Sequence, residues 1–194
     1  MSATPLRLAV INSSVRDGRF GPTVANWITS LAKERENLHV DLIDLAEHEL
    51  PHALSHSPSE EVAAELAKVS PRLAESDAFI VVTPEYNHSF PSSLKSLIDW
   101  HNTQWQAKPI GFVSYGGLAG GLRSVEQLRP VFAELHAVTV RDVVSFHNCW
   151  GLFDETGALK EPQEATAAAE TLLDQLVWWG NALSEARTKT PYGS

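Results

Sequence analysis

LRLAVINSSVRDGRFG, Leu6 to Gly21, passes abruptly from an apolar, β-branched run into a polar loop that ends at Gly21-Pro22. A short apolar run with such a boundary reads as a buried strand followed by a turn. Gly21-Pro22 then opens a segment in which Val24, Trp27, Ile28 and Leu31 fall on one helical face. Proline is tolerated in a first helical turn because the N–H it lacks has no partner there. The unit is strand, polar loop, helix, and it recurs outward along the chain.

His39 to Leu45 (HVDLIDL) reads as a more exposed strand, and Glu60 to Glu75 as a helix interrupted or kinked at Pro71. Ala78 to Thr83 (AFIVVT) is again short and apolar. Pro91 begins a helix whose apolar face is Leu94, Leu97 and Ile98, and Pro109 to Tyr115 (PIGFVSY) supplies the fourth strand. A helix to about His136 follows, with Leu122, Val125, Leu128, Phe132 and Leu135 spaced for burial and Pro130 as a candidate kink. A strand from Ala137 to about Val144 and a helix from about Pro162 to Arg187 close the pattern. Strands alternating with helices imply a parallel sheet with right-handed crossovers and helices on both faces. The class is α/β, doubly wound, and five strands suit the flavodoxin-like order 2-1-3-4-5 in a single domain, 1–194. In that order a ligand binds beyond the carboxyl ends of the strands, at the switch point between the first and third.

Composition bounds the partners. Hydrophobic residues make up 43% of the 194 and charged ones 20%, which excludes disorder and coiled coil as descriptions of the whole. A net charge of −9 with no basic run argues against nucleic acid. Cys149 is the single cysteine, so neither an intramolecular disulfide nor a thiolate metal cluster is expected, and a reducing compartment fits. The opening MSATPLRLAVINSS has one basic residue and an apolar run far short of the ~20 residues that span a bilayer, so no membrane partner and a cytoplasmic location are expected.

The switch-point rule selects three loops. The first, Asn12 to Gly21, places two hydroxyls, two guanidiniums and two glycines before a helix N-terminus. Unpaired amides and the positive helix end favour an anion, although any strand-to-helix loop is polar. It contains neither G-x-x-x-x-G-K-[ST] nor G-x-G-x-x-G, so neither a nucleoside triphosphate nor an ordinary dinucleotide fold is indicated. The second, Thr83 to Pro91 (TPEYNHSFP), is stiffened by two prolines around Tyr86 and Phe90 and can lie along a flat heterocycle. In the third, Ser114 to Leu122 (SYGGLAGGL), four glycines leave the backbone open to a ligand edge. Together they suit a planar heterocycle with a terminal phosphate, a description FMN meets.

Three motifs carry a family resemblance: S-S-V-R-x-G-R from Ser13, T-P-E-Y-N-H-S-F-P-S-S-L-K-S-x-I-D-W from Thr83, and S-Y-G-G-L-A-G-G from Ser114. Up to about His147 the chain resembles the NADPH-dependent FMN reductase family of flavodoxin-like proteins. The resemblance implies that Ser14, Arg16 and Arg19 contact the FMN phosphate. Pro84, Glu85, Tyr86 and Asn87 would line the isoalloxazine, and Gly116 and Gly117 would meet its pyrimidine edge. His88, where relatives often carry glycine, would stand near the substrate, and Ser13 replaces a common glycine. The implied chemistry is ping-pong: hydride passes from NADPH or NADH to the flavin N5, and electrons pass on to a small-molecule acceptor. That acceptor is a free flavin, a quinone, an azo or nitro compound, or a metal oxyanion. No side chain need act as acid or base, so no catalytic residue is named.

Two other classes remain: a flavodoxin-type electron carrier without nicotinamide reactivity, and a non-catalytic flavin-binding regulator. Resemblance also implies a homodimer or homotetramer with the helix after Pro91 at the contact. Leu94, Leu97, Ile98 and Trp105 are candidates for that interface, unless the same face packs on the sheet. His48-Glu-Leu-Pro-His52 matches the pattern H-E-x-x-H, but Pro51 spoils the continuous helix a zinc site needs, leaving His48, His52 and His56 on a surface loop. No metal is expected. Asn12-Ser13-Ser14 and Asn87-His88-Ser89 are glycosylation sequons by pattern only, and Ser114 lacks the G-x-S-x-G elbow of a hydrolase. Trp178-Trp179 read as core or subunit contacts.

Overall fold

A computed structural model describes residues 4–193, so the outermost positions of the expected domain, 1–3 and 194, lie outside the described residues. Five strands, β1 (Leu6–Asn12), β2 (Leu38–Asp44), β3 (Ala78–Pro84), β4 (Pro109–Tyr115) and β5 (Val138–Phe146), form one sheet in the order β2-β1-β3-β4-β5. Every pairing is parallel. The helices are α1 (Gly21–Lys33), α2 (Glu60–Glu75), α3 (Ser92–Asp99), α4 (Leu122–Glu134) and α5 (Gln163–Lys189). The flavodoxin-like arrangement expected from the element order is the one observed.

β3 and β4 are buried at every position, which is why they read as continuous apolar runs, whereas edge strand β2 is largely half-buried. One core lies between the sheet and α1 with α5, around Val24, Ile28, Leu172 and Leu176. The other lies on the opposite face, beneath α2, α3 and α4, where Trp105 stacks against Phe79 at 4.9 Å and Phe132 at 5.5 Å.

Two readings are resolved. The helix expected to be interrupted or kinked at Pro71 is not interrupted, and α2 and α4 run continuously across Pro71 and Pro130. Both prolines sit on exposed faces, while Val69 and Leu73, and Leu128 and Phe132, are fully buried on either side and hold both halves of each helix to the sheet. Leu94, Leu97, Ile98 and Trp105 are each 0% exposed within one chain, so they are core and unavailable to a subunit contact. Burying each such side chain stabilises the fold by about 1.5–3 kcal/mol, and that demand takes precedence over any interface.

The amino-terminal edge of the sheet is closed by charge. Lys108 donates from Nζ to the carbonyls of Leu73 (2.9 Å) and Ala74 (2.8 Å), which satisfies the last turn of α2. Arg187 of α5 donates to Ala107 O at 2.5 Å and to Asp77 at 3.1 Å, and Asp77 also accepts the Arg7 amide at 3.1 Å.

Candidate functional site

The loop after β1 is pinned at its base and open at its crest. Ser13 donates its amide and its hydroxyl to Val82 O (3.1 and 2.8 Å), and Ser93 of α3 donates to Ser13 O at 2.7 Å. Arg19 donates to Ser14 O at 2.7 Å and forms a 2.5 Å ion pair with Asp44 at the end of β2. Burial alone pushes the Asp44 carboxyl up, but the hydrogen bonds from Arg19 and the Ala46 amide outweigh it and hold the group below its ordinary range. The same hydrogen bond raises Arg19. Across the crest, the amides of Ser14, Val15, Arg16, Asp17 and Gly18 meet no protein acceptor among the described residues. Helix α1 starts immediately beyond, without a side-chain cap. A cluster of free N–H groups at an uncapped helix start is an anion cradle.

The loop after β3 turns back sharply. Tyr86 and Ser89 exchange backbone hydrogen bonds of 2.8 and 3.1 Å around Asn87 (φ 50°) and His88 (φ 72°), a two-residue turn with both central residues left-handed. For a residue with a side chain that conformation costs about 1–2 kcal/mol, so His88 is held there by its surroundings. Gln127 of α4 donates to His88 O at 2.7 Å, and Ser124 donates to Pro84 O and Ser89 O at 2.9 and 2.7 Å. Glu85 pairs with Arg123 through one oxygen at 2.8 Å. Its Oε2 is buried without a partner among the described residues.

The loop after β4 uses its glycines in two ways. Gly116 and Gly117 present bare backbone to the site, their carbonyls taken by the amides of Cys149 (3.1 Å) and Asn148 (3.0 Å). Gly121 caps α4 at φ 81°, where a Cβ would stand 2.9 Å from the Tyr115 amide nitrogen. The Gly120 carbonyl accepts from both Ser114 and Ser145, at 2.8 and 2.9 Å, which accounts for the Ser114 hydroxyl structurally. Burial pushes the Cys149 thiol up to about 11, leaving it an unreactive packing group.

The loops meet in a cavity of about 200 Å³ at the carboxyl ends of β1, β3 and β4. Arg16, Arg19 and Phe20 form one end, and Pro84, Glu85, Tyr86, Gly116, Gly117 and Trp150 the other, with Tyr115 also in the wall. Arg16 lies over the Tyr86 ring at 5.7 Å, joining the first two loops. Of the residues singled out in the sequence, Ser14 is buried behind the wall with its hydroxyl on Asn12 Oδ1 at 3.2 Å. Asn87 and His88 are exposed on the turn outside the cavity wall.

Sequence reasoning missed Phe20, Tyr115 and Trp150. Tyr115 carried a signal, being a hydroxyl at the end of an otherwise apolar strand. Trp150 carried none, because its short 3-10 turn, Cys149–Gly151, follows β5 rather than a strand at the switch point. Its ring lies 3.8 Å from where a Gly117 Cβ would be. A larger hollow, about 650 Å³, lies between β5 and the start of α5, but none of the three loops reaches it. The H-E-x-x-H residues form no metal cluster among the described residues: they lie outside any helix, with His52 bonded to Ser96 at 2.7 Å. Asn12 of the first sequon is 0% exposed.

Fold and rim together define a flavodoxin-like protein with an anion cradle and a flat, aromatic-walled slot at the topological switch point. The chain belongs to the NADPH-dependent FMN reductase family, whose model matches residues 6–151. It is 34% identical over 128 residues to an NAD(P)H-dependent FMN reductase of Schizosaccharomyces pombe, a match that spans 62% of each protein. To a 2-hydroxy-1,4-benzoquinone reductase of Burkholderia it is 30% identical over 133 residues, 68% of this chain and 67% of that one. A solved structure of FerB, a flavoenzyme NAD(P)H:(acceptor) oxidoreductase from Paracoccus denitrificans, superposes with a TM-score of 0.69 at 21% identity, over 91% of this chain and 98% of that one. That likeness establishes the fold.

Proposed function

We propose that the protein is an FMN-dependent NAD(P)H oxidoreductase that reduces small-molecule acceptors of the quinone, flavin, azo, nitro or metal-oxyanion type. The observation that carries the reading is the set of polar groups without protein partners in one cavity and on the loop that borders it. Free amides from Ser14 to Gly18, beside Arg16, suit a phosphate, and the orphaned Glu85 Oε2 is an acceptor suited to the imide N–H of a flavin ring. A buried acceptor without a donor costs about 1–3 kcal/mol, which a ligand N–H recovers.

FMN supplies the hydride chemistry at its N5 when bound. The chain's own residues bind and orient. Arg16 neutralises charge at the cavity mouth, the paired Arg19 holds the loop carbonyl in place, and the turn after Tyr86 offers a rigid wall fastened to α4. Gly116 and Gly117 let the ring edge approach the backbone. Trp150 in the cavity wall is largely exposed and His88 is exposed on the turn beside it, and a ping-pong sequence has nicotinamide and acceptor visit that exposed edge in turn.

We also infer a homodimer or homotetramer in the cytoplasm. Trp178 and Trp179 support the contact: they are 65% and 37% exposed on α5, with ring centroids 4.9 Å apart. No helix among the described residues is long and apolar enough to cross a membrane.

The test is to mix protein, FMN and NADPH without oxygen. Rapid loss of the yellow absorbance is expected. Colour that persists in a protein that has bound FMN overturns the reductase reading and leaves a one-electron carrier.

A further inference from the structure

The hydroxyl of Tyr115 is buried at the end of β4, in a residue 4% exposed, and has no hydrogen-bond partner among the described residues. Its ring packs against Phe20 at 6.1 Å and forms part of the wall that Arg16, Arg19 and Phe20 complete. Its position relative to the anion cradle is fixed by Gly21, the first residue of α1. A Cβ there would stand 2.9 Å from the Tyr115 oxygen, 2.0 Å from Ser14 Oγ and 2.4 Å from Asn12 Oδ1. Three polar atoms therefore converge at the start of α1. Two of them, on Ser14 and Asn12, bond one another at 3.2 Å. The Tyr115 hydroxyl stands beside Ser14, near enough for Ser14 to offset part of the effect of burial on the phenol but without a hydrogen bond of good geometry among the described residues.

We propose that Tyr115 is a phosphate-anchoring residue, its O–H donating to the FMN phosphate from beneath the loop after β1. The inference rests on the FMN reading and adds a ligand contributed by a different strand from the one that carries the cradle. Every other donor there belongs to the β1 loop or to α1. Tyr115 reaches the same point from two strands away in the sheet, so the anion bridges the two sides of the switch point. Burial pushes the phenol well above its ordinary range, so the proton needed for donation stays in place across physiological pH. A buried hydroxyl without a partner is a net cost in the free protein, which is the physical sign of a group kept for a ligand.

The test compares wild type with Tyr115→Phe, which removes the oxygen alone. Affinities of the apo proteins for FMN and for riboflavin, which lacks the phosphate, are measured by flavin fluorescence, and apo thermal unfolding by circular dichroism. The expected result is a loss of about tenfold to a hundredfold in FMN affinity, equivalent to about 1.4–2.8 kcal/mol. Riboflavin affinity stays unchanged, and the apo midpoint stays equal or rises because an unpaired polar atom is gone. The proposal is overturned if wild type prefers FMN to riboflavin and the variant keeps that preference in full. Equal losses for both flavins, or a lower apo midpoint, also overturn it, placing the oxygen on the ring or on Ser14. A wild type that binds neither flavin overturns the cofactor reading, and this assignment with it.

Discussion

The two ends of this sheet hold similar polar chemistry and treat it in opposite ways. At the amino-terminal end Lys108, Arg187 and Asp77 are buried or half-buried, and each bonds to a backbone group or to a charge within the chain. At the carboxyl end the amides from Ser14 to Gly18, the Tyr115 hydroxyl and Glu85 Oε2 are left without partners among the described residues. A chain that can satisfy one rim so completely is capable of satisfying the other. The unpaired groups support the proposal that a ligand completes the structure there, at a cavity smaller than the hollow beside β5. Thr29 Oγ1, His48 Nδ1 and Glu65 Oε2 are also buried without hydrogen-bond partners among the described residues, but they lie away from this cavity, so it is the convergence of such groups on the three loops that distinguishes this rim.

The sharpest way to break the contrast is to fill the space where the cradle converges. Gly21→Ala places a methyl 2.0 Å from Ser14 Oγ and 2.4 Å from Asn12 Oδ1, so the loop must move. FMN affinity measured by fluorescence titration is expected to fall by roughly a hundredfold or more, the scale on which several charge-assisted contacts are lost together. Wild-type affinity in this variant removes the cradle from the argument.

A smaller effect separates the two arginines. Arg16 has no anionic partner among the described residues and lies on the Tyr86 ring, whereas Arg19 is bonded to Asp44 and Ser14 O. Arg16→Ala is expected to lower FMN affinity about tenfold to a hundredfold, leaving the apo denaturation midpoint unchanged. Arg19→Ala lowers both, because it frees Asp44, half-buried and dependent on its ion pair, and releases the loop. If the two variants behave alike in a urea titration of the apo protein, the distinction between ligand arginine and structural arginine fails.

That distinction also marks the limit of what the sequence makes legible. Buried parallel strands announce themselves as unbroken apolar runs, so β1, β3 and β4 and their loops are readable from residue type alone, and the sheet order then selects the rim. Which polar residue in a loop faces the ligand depends on longer-range pairing. Arg19 and Arg16 are alike in sequence, and only the fold shows that Arg19 is paired, with Asp44, 25 positions away at the end of β2. Trp150 reaches the cavity only because Asn148 and Cys149 donate to the carbonyls of Gly117 and Gly116 across the gap. Pro71 and Pro130 leave their helices continuous for a related reason: intrinsic helix-breaking cost is local, and the buried leucines and aromatics that outweigh it come from tertiary packing. The apolar face of α3 was ambiguous between core and subunit contact because the period of an amphipathic helix does not say what covers it.

The gentlest probe belongs to the satisfied rim. Burial, with a smaller push from Arg187 and partly offset by Asp77, brings the Lys108 ammonium down from its ordinary 10.5 to about 8. The unfolded chain thus holds a proton that the folded chain releases between about pH 8 and 10.5, so stability gains from this group as pH rises through that window. Below it both states are protonated and the folded state carries the full desolvation penalty. Above it both are neutral and the penalty is gone. Lys108→Met lacks the effect. The difference in unfolding free energy between wild type and Lys108→Met should therefore shift in favour of wild type from pH 8 to pH 10, by no more than about 1.4 kcal/mol per pH unit. Over the same range the two proteins should show the same FMN affinity as each other. A pH-independent difference means that the two carbonyls of α2 hold Lys108 charged in spite of its burial. A change in FMN affinity means instead that the two rims communicate through β4, and the division between a self-satisfied end and a ligand-completed end no longer stands.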